Sequence, residues 1–124
     1  MSVDSPSRFQ SGQIVLADWR GDAVPPEPTK IRPAVVVEDD ELFLTSHGAV
    51  ILVPLTGDPS LAVQELTVCL EPTADNGCTK QCWVLSYAVS STAKSRVRLT
   101  ASSITPAQLS MIRRQIGMAI GIET

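Results

Sequence analysis

The sequence predicts a mainly β domain with some α: a small, open barrel of five or six short strands, covered on one side by one C-terminal helix. Short apolar runs rich in branched residues alternate with stretches carrying Gly, Pro, Asn or Asp, which is the pattern of strands and turns. None of those runs is long enough for a typical helix, and only residues 105–121 combine helical periodicity with a start and a stop signal. At 124 residues one domain with one core is expected, large enough to fold without metals or disulfides.

Residues 1–11 contain Ser and Pro without periodicity and read as a flexible leader, leaving 12–122 as a single domain. Residues 13–19, Gln-Ile-Val-Leu-Ala-Asp-Trp, form the first expected strand after Gly12. Residues 20–30 include Gly21, Pro25, Pro26 and Pro28, whose prolines lack the amide donors a ladder needs, so a long loop is expected there. Residues 31–37 read as the second strand, with Pro33 near its start, and proline holds the preceding Arg32 extended. The acidic run Glu38-Asp39-Asp40-Glu41 leads through a turn or short helix to a third strand at residues 50–55, ended by Thr56-Gly57-Asp58-Pro59.

Residues 62–70 alternate as a fourth strand would, and Asn76-Gly77 marks a turn. Residues 82–87 read as a fifth strand, and residues 96–99 alternate charged and apolar side chains as a half-buried strand does. Thr105-Pro106-Ala107-Gln108 places an N-cap, a proline at the first helical position and a glutamine at the third. Leu109, Ile112, Ile116, Ala119 and Ile120 then recur at helical spacing until Gly121.

No apolar run approaches the roughly 18 to 20 residues of a membrane span, and the N-terminus lacks the pattern of a secretion signal, so a soluble, cytoplasmic protein is expected. The net charge of −3 argues against a general nucleic-acid binder, yet the charge is unevenly spread. Residues 1–75 carry four bases against twelve acids, whereas residues 76–122 carry Lys80, Lys94, Arg96, Arg98, Arg113 and Arg114 and no acid. A polyanion-facing surface and a solvated basic face both fit that asymmetry. Cys69, Cys78 and Cys82, with His47 distant in sequence, lack the paired spacing of a zinc site, and reduced thiols are expected.

Gly12-Gln13-Ile14-Val15, then Arg32-Pro33-Ala34-Val35-Val36-Val37, Pro54-Leu55-Thr56, Lys94-Ser95-Arg96 and finally Ile104-Thr105-Pro106-Ala107-Gln108-Leu109 occur in the order and spacing of a known family. Over residues 12–122 the chain resembles the MazF/PemK toxins. The resemblance implies an SH3-like barrel of the CcdB/MazF type that forms a homodimer. It also implies endoribonuclease activity on single-stranded RNA at short sequence motifs, and neutralisation by an antitoxin protein. By position it assigns the catalytic arginine to Arg32 and the catalytic threonine to Thr56. Three features depart from the family's pattern: Ala93 where an acidic residue commonly precedes Lys-Ser-Arg, Gly57 where serine often follows the threonine, and the segment from Cys78 to Trp83.

The chemistry of these residues fits that assignment. A single histidine, expected in a surface loop, leaves no intramolecular two-histidine acid–base pair, and the acids of residues 38–41 suit a solvated turn better than an ordered two-metal site. The remaining route uses the RNA's 2′-hydroxyl as nucleophile, with no cofactor and no metal, and needs donors to the developing charge. Arg32 offers a planar fork of such donors and Thr56 one hydroxyl. A structural ion pair of Arg32 with Asp18 or Glu38 is the competing reading, and Thr56 is also an ordinary turn residue. Candidate RNA contacts are Trp19 and Tyr87 by stacking, with Lys30, Lys94, Arg96 and Arg98 toward phosphates, while Trp83 is expected in the core. Two other functions stay open: a non-catalytic, CcdB-like toxin that binds DNA gyrase, and a silent module that binds only an antitoxin.

Overall fold

The computed structural model describes residues 9–20, 31–43 and 45–122. Its seven antiparallel strands are β1 (Gln13–Asp18), β2 (Ile31–Val36), β3 (Ala49–Thr56), β4 (Thr67–Leu70), β5 (Cys82–Leu85), β6 (Ser90–Ala93) and β7 (Val97–Ser103), followed by helix α1 (Pro106–Ala119). The sheet order is β4-β5-β3-β2-β1-β7, with β6 also pairing to β3. Among the described residues the sheet does not close, because β4 and β7 end the order without pairing to each other. The expected small, open barrel with its C-terminal helix is thus present, its sheet left unclosed.

The central strands are apolar without interruption because they bury both faces, and successive side chains point to opposite sides. Ile14, Val35, Val37, Val53 and Leu55 enter one cluster with Leu70, Val84, Ile104 and Ile112. Their neighbours Val15, Ala17, Trp19, Ala34, Val36, Val50 and Leu52 enter a second cluster with Val97. Each fully buried Val, Leu or Ile contributes about 1.5–3 kcal/mol relative to exposure, so register is firmly set along these strands.

Helix α1 covers the first cluster through Ile112, with Leu109 and Ile116 packed against it. Its start is the expected capping box: Thr105 Oγ1 accepts from Gln108 N at 3.1 Å, and Gln108 Oε1 accepts from Thr105 N at 2.9 Å. A polar pair anchors its middle, where Ser86 Oγ donates to Gln115 Oε1 at 2.7 Å and Gln115 Nε2 donates to Thr67 O at 2.9 Å. Among the described residues, no helix is long and apolar enough to cross a membrane.

Several boundaries differ from the sequence expectation. The fourth strand begins at Thr67, not Ala62, because a turn intervenes in which Glu65 has φ 75°. The fifth ends at Leu85, and residues 86–88 form a 3-10 turn. Residues 94–96 form another such turn, so the last strand starts at Val97. Strand β6 was not expected, since Ser-Ser-Thr-Ala carries no apolar signal. At the Asn76-Gly77 turn, Asn76 Oδ1 accepts from Thr73 N and Cys78 N, and Gly77 takes φ 66°. The expected loop at residues 21–30 and most of the expected leader lie outside the described residues.

Candidate functional site

Strands β2 and β3 pair as Ala34↔Pro54, Val35↔Val53 and Val36↔Leu52. Arg32 lies near the start of β2 and Thr56 at the end of β3, beyond the last paired residues, Ala34 and Pro54. On the opposite edge of β3, Thr56 pairs with Trp83 of β5. A cleft of about 260 Å³ at this end is lined by Ile31, Arg32, Pro33, Leu55, Thr56, Gly57 and Cys82. The two residues assigned to catalysis by resemblance thus share one cleft.

Arg32 is half-buried, and its Nε is buried without a hydrogen-bond partner. Buried donors are nearly always satisfied, so an orphaned guanidinium N–H beside a cleft is a donor available to a ligand. Among the described residues, the competing ion pair of Arg32 with Asp18 or Glu38 does not form. Asp18 is held by Arg20 at 2.8 Å, and Glu38 Oε1 accepts the backbone N–H of Ile51 at 3.1 Å.

Thr56 is 4% exposed, and its Oγ1 accepts from Asp58 N at 3.1 Å. That acceptance orients the hydroxyl, leaving its own proton to donate. Asp58 Oδ1 in turn accepts both Ser60 N and Ser60 Oγ, at 2.9 and 2.7 Å. These hydrogen bonds from Ser60, helped by the charges of Arg32 and Lys80, hold the Asp58 carboxyl below its ordinary pKa. Asp58 therefore shapes the turn as an anion.

A second, adjoining cleft of about 150 Å³ is lined by Leu16, Asp18, Ile31, Ser95, Arg96 and Arg98. Ile31 lines both, so Arg96 and Arg98 extend the surface that begins at Arg32. The basic residues are not equivalent. Arg96 donates to Arg20 O at 2.8 Å and Lys94 Nζ to Thr45 O at 3.3 Å, so both also brace backbone, while Arg98 is exposed. Arg113 donates to Val37 O and Glu38 O, both at 3.0 Å, and ties α1 to the end of β2.

Other candidates fall elsewhere. Trp19 is 8% exposed and its Nε1 donates to Thr92 Oγ1 at 3.1 Å, so it is a core residue and not a base-stacking platform. The inward alternation of Val15, Ala17 and Trp19 was the signal for this. Tyr87 is half-buried with its hydroxyl donating to Leu61 O at 3.1 Å. Trp83, expected in the core, is only half-buried on β5. Lys30 lies outside the described residues. His47 is exposed in a loop, with its ring 5.3 Å from that of Phe43.

Sequence reasoning missed Lys80. Its Cε and Nζ lie over Gly57, 2.5 and 2.9 Å from where a β-carbon at position 57 would stand.

A family model described as PemK-like, MazF-like toxin of type II toxin-antitoxin systems matches residues 10–120. No curated protein matches the chain. Solved structures of similar fold include MazF from Deinococcus radiodurans, with 19% identity over 92% of this chain and 97% of that one and a TM-score of 0.74. The Mycobacterium tuberculosis toxin MazF-mt6 shows 16% identity over 90% and 99%, with a TM-score of 0.69. A mycobacterial endoribonuclease solved with its cognate antitoxin shows 17% identity over 92% and 96%, with a TM-score of 0.68. At these identities the structural likeness carries the fold.

Proposed function

The chain belongs to the PemK-like, MazF-like toxins of type II toxin–antitoxin systems, and from that premise we propose that it is a metal-independent, sequence-specific endoribonuclease acting on single-stranded RNA. The observation that carries this reading is the cleft that Arg32, with an unpartnered buried Nε, shares with the oriented hydroxyl of Thr56.

The RNA's 2′-hydroxyl gives its proton to water and attacks the adjacent phosphorus as the bond to the 5′-oxygen of the next nucleotide breaks, and that oxygen takes a proton from water to become the 5′-hydroxyl. Negative charge grows on the non-bridging oxygens as the fifth bond to phosphorus forms. Arg32 donates to one of these oxygens through fixed N–H groups, and Thr56 donates its remaining proton to another. Such preorganised donors act most strongly where water is excluded, and Thr56 is buried. Arg96 and Arg98 hold the strand beyond the cleft through its phosphates.

The protein's partners in this reading are single-stranded RNA, an antitoxin protein and a second copy of the chain, and its place is the cytoplasm. The copy has apolar surface to cover: Met111, Met118, Ile120 and Ile122 are 41–67% exposed. Mapping of product ends tests the chemistry. A 2′,3′-cyclic phosphate and a 5′-hydroxyl are expected, and a 2′-deoxy substitution at the scissile nucleotide abolishes the cut. Products bearing a 5′-phosphate contradict it.

A further inference from the structure

We infer that Lys80 is a second cation of the Arg32–Thr56 cleft and holds a phosphate of the bound RNA strand. This rests on the endoribonuclease reading for its substrate and names a residue that reading does not use.

The segment between β4 and β5 brings Lys80 to the floor residue Gly57, immediately after Thr56. Its side chain crosses the glycine so closely that any β-carbon there would force it away, with Cε at 2.5 Å and Nζ at 2.9 Å. Gly57 lines the cleft, and its missing side chain leaves the room that the lysine occupies beside it.

Electrostatics point the same way. Ser60's hydrogen bonds lower the Asp58 pKa most, and the charges of Arg32 and Lys80 lower it further, so both cations lie near Asp58, next to the cleft residue Gly57. Among the described residues neither forms an ion pair with it within 4 Å. Asp58 spends its Oδ1 on Ser60. Lys80 is exposed, and its ammonium remains available to a mobile anion. The ligand chemistry two such cations select beside a threonine hydroxyl is a phosphodiester.

The test measures binding of a non-cleavable 2′-O-methyl oligonucleotide against salt for the wild type, Lys80→Ala, Lys80→Arg, Gly57→Ala and the Gly57→Ala/Lys80→Ala pair, with cleavage of ordinary RNA measured alongside. Lys80→Ala is expected to weaken binding roughly fivefold to tenfold and to reduce the salt slope by about 0.7, the share of one phosphate contact on a single strand. Lys80→Arg should retain most of both. Gly57→Ala should reproduce the loss by displacing the lysine, and should add nothing once Lys80 is alanine.

Unchanged affinity and slope in Lys80→Ala would overturn the inference, as would a Gly57→Ala effect equally large without the lysine. If Lys80→Ala is silent while the wild type cuts RNA, the inference fails and the endoribonuclease reading stands. If binding depends on Lys80 but no RNA is cut, the phosphate contact stands and the endoribonuclease reading fails. A wild type that neither binds nor cuts overturns both.

Discussion

The indole N–H of Trp19 donates to the hydroxyl of Thr92 across 3.1 Å, joining the end of β1 to the short edge strand β6 through the second core cluster. Both residues are buried, so the bond has no water to replace it. Thr92→Val keeps the shape and orphans the indole. It should destabilise the fold by about 1–3 kcal/mol, the cost of an unsatisfied buried donor, while RNA cleavage per folded molecule is unchanged. Denaturant unfolding with a parallel cleavage assay checks both. A loss of activity at unchanged stability would return Trp19 to the RNA interface.

Asp18 offers a pH test of the second cleft. The side-chain hydrogen bonds from Arg20, with its backbone N–H and its charge and a smaller contribution from Arg96, lower the Asp18 pKa from 3.8 to about 2. A depressed carboxylate pKa means that the stabilising contribution is complete above pH 3.8 and is lost as pH falls through about 2. Carboxyl chemical shifts followed by NMR should place the Asp18 midpoint near 2, and Arg20→Ala should move it up toward the ordinary value. A midpoint that ignores Arg20 would contradict the pairing.

The cysteines make a reactivity prediction. Burial, then the neighbouring Cys82, raises the Cys78 thiol to about 11, and burial also raises Cys69. Both are therefore neutral at pH 7.5, and alkylation by iodoacetamide should be slower at each than at an unfolded cysteine. Mass mapping of alkylated peptides over time reads this directly. Rapid modification of Cys78 in the folded protein would contradict its placement against the core.

The basic residues of the later segment should divide by their contacts. Arg98 is exposed beside the second cleft, whereas Lys94 also braces Thr45 O. Arg98→Ala should reduce the salt slope of RNA binding by about 0.7, and Lys94→Ala by less. Equal slopes for wild type and Arg98→Ala would make this a solvated face.

What could be read from the sequence was what local pattern determines. Branched, uninterrupted runs located β1, β2 and β3 nearly to the residue, and the capping box fixed the start of α1. Strand β6 escaped because an edge strand of Ser, Thr and Ala has no apolar period and exists through its pairing with β3. The fourth strand was overextended because Glu65 adopts a positive φ that its residue type does not announce. Within the site, Arg32 and Thr56 were found by resemblance, and their juxtaposition depends on the register of β2 with β3. Lys80 was invisible because its approach to Gly57 depends on β3 pairing with β5, a long-range contact with no local signature.

In the proposed reaction Arg32 stabilises the transition state of a metal-independent RNA cleavage. Wild type and Arg32→Ala should be compared at matched folded concentration on single-stranded RNA in excess chelator, under single-turnover conditions. Wild-type cleavage should persist, and Arg32→Ala should be slower by about 10²–10³-fold, the scale of one lost preorganised donor, with Thr56→Ala reduced less. Loss of wild-type cleavage in chelator, or an Arg32→Ala rate equal to wild type, would contradict this role of Arg32.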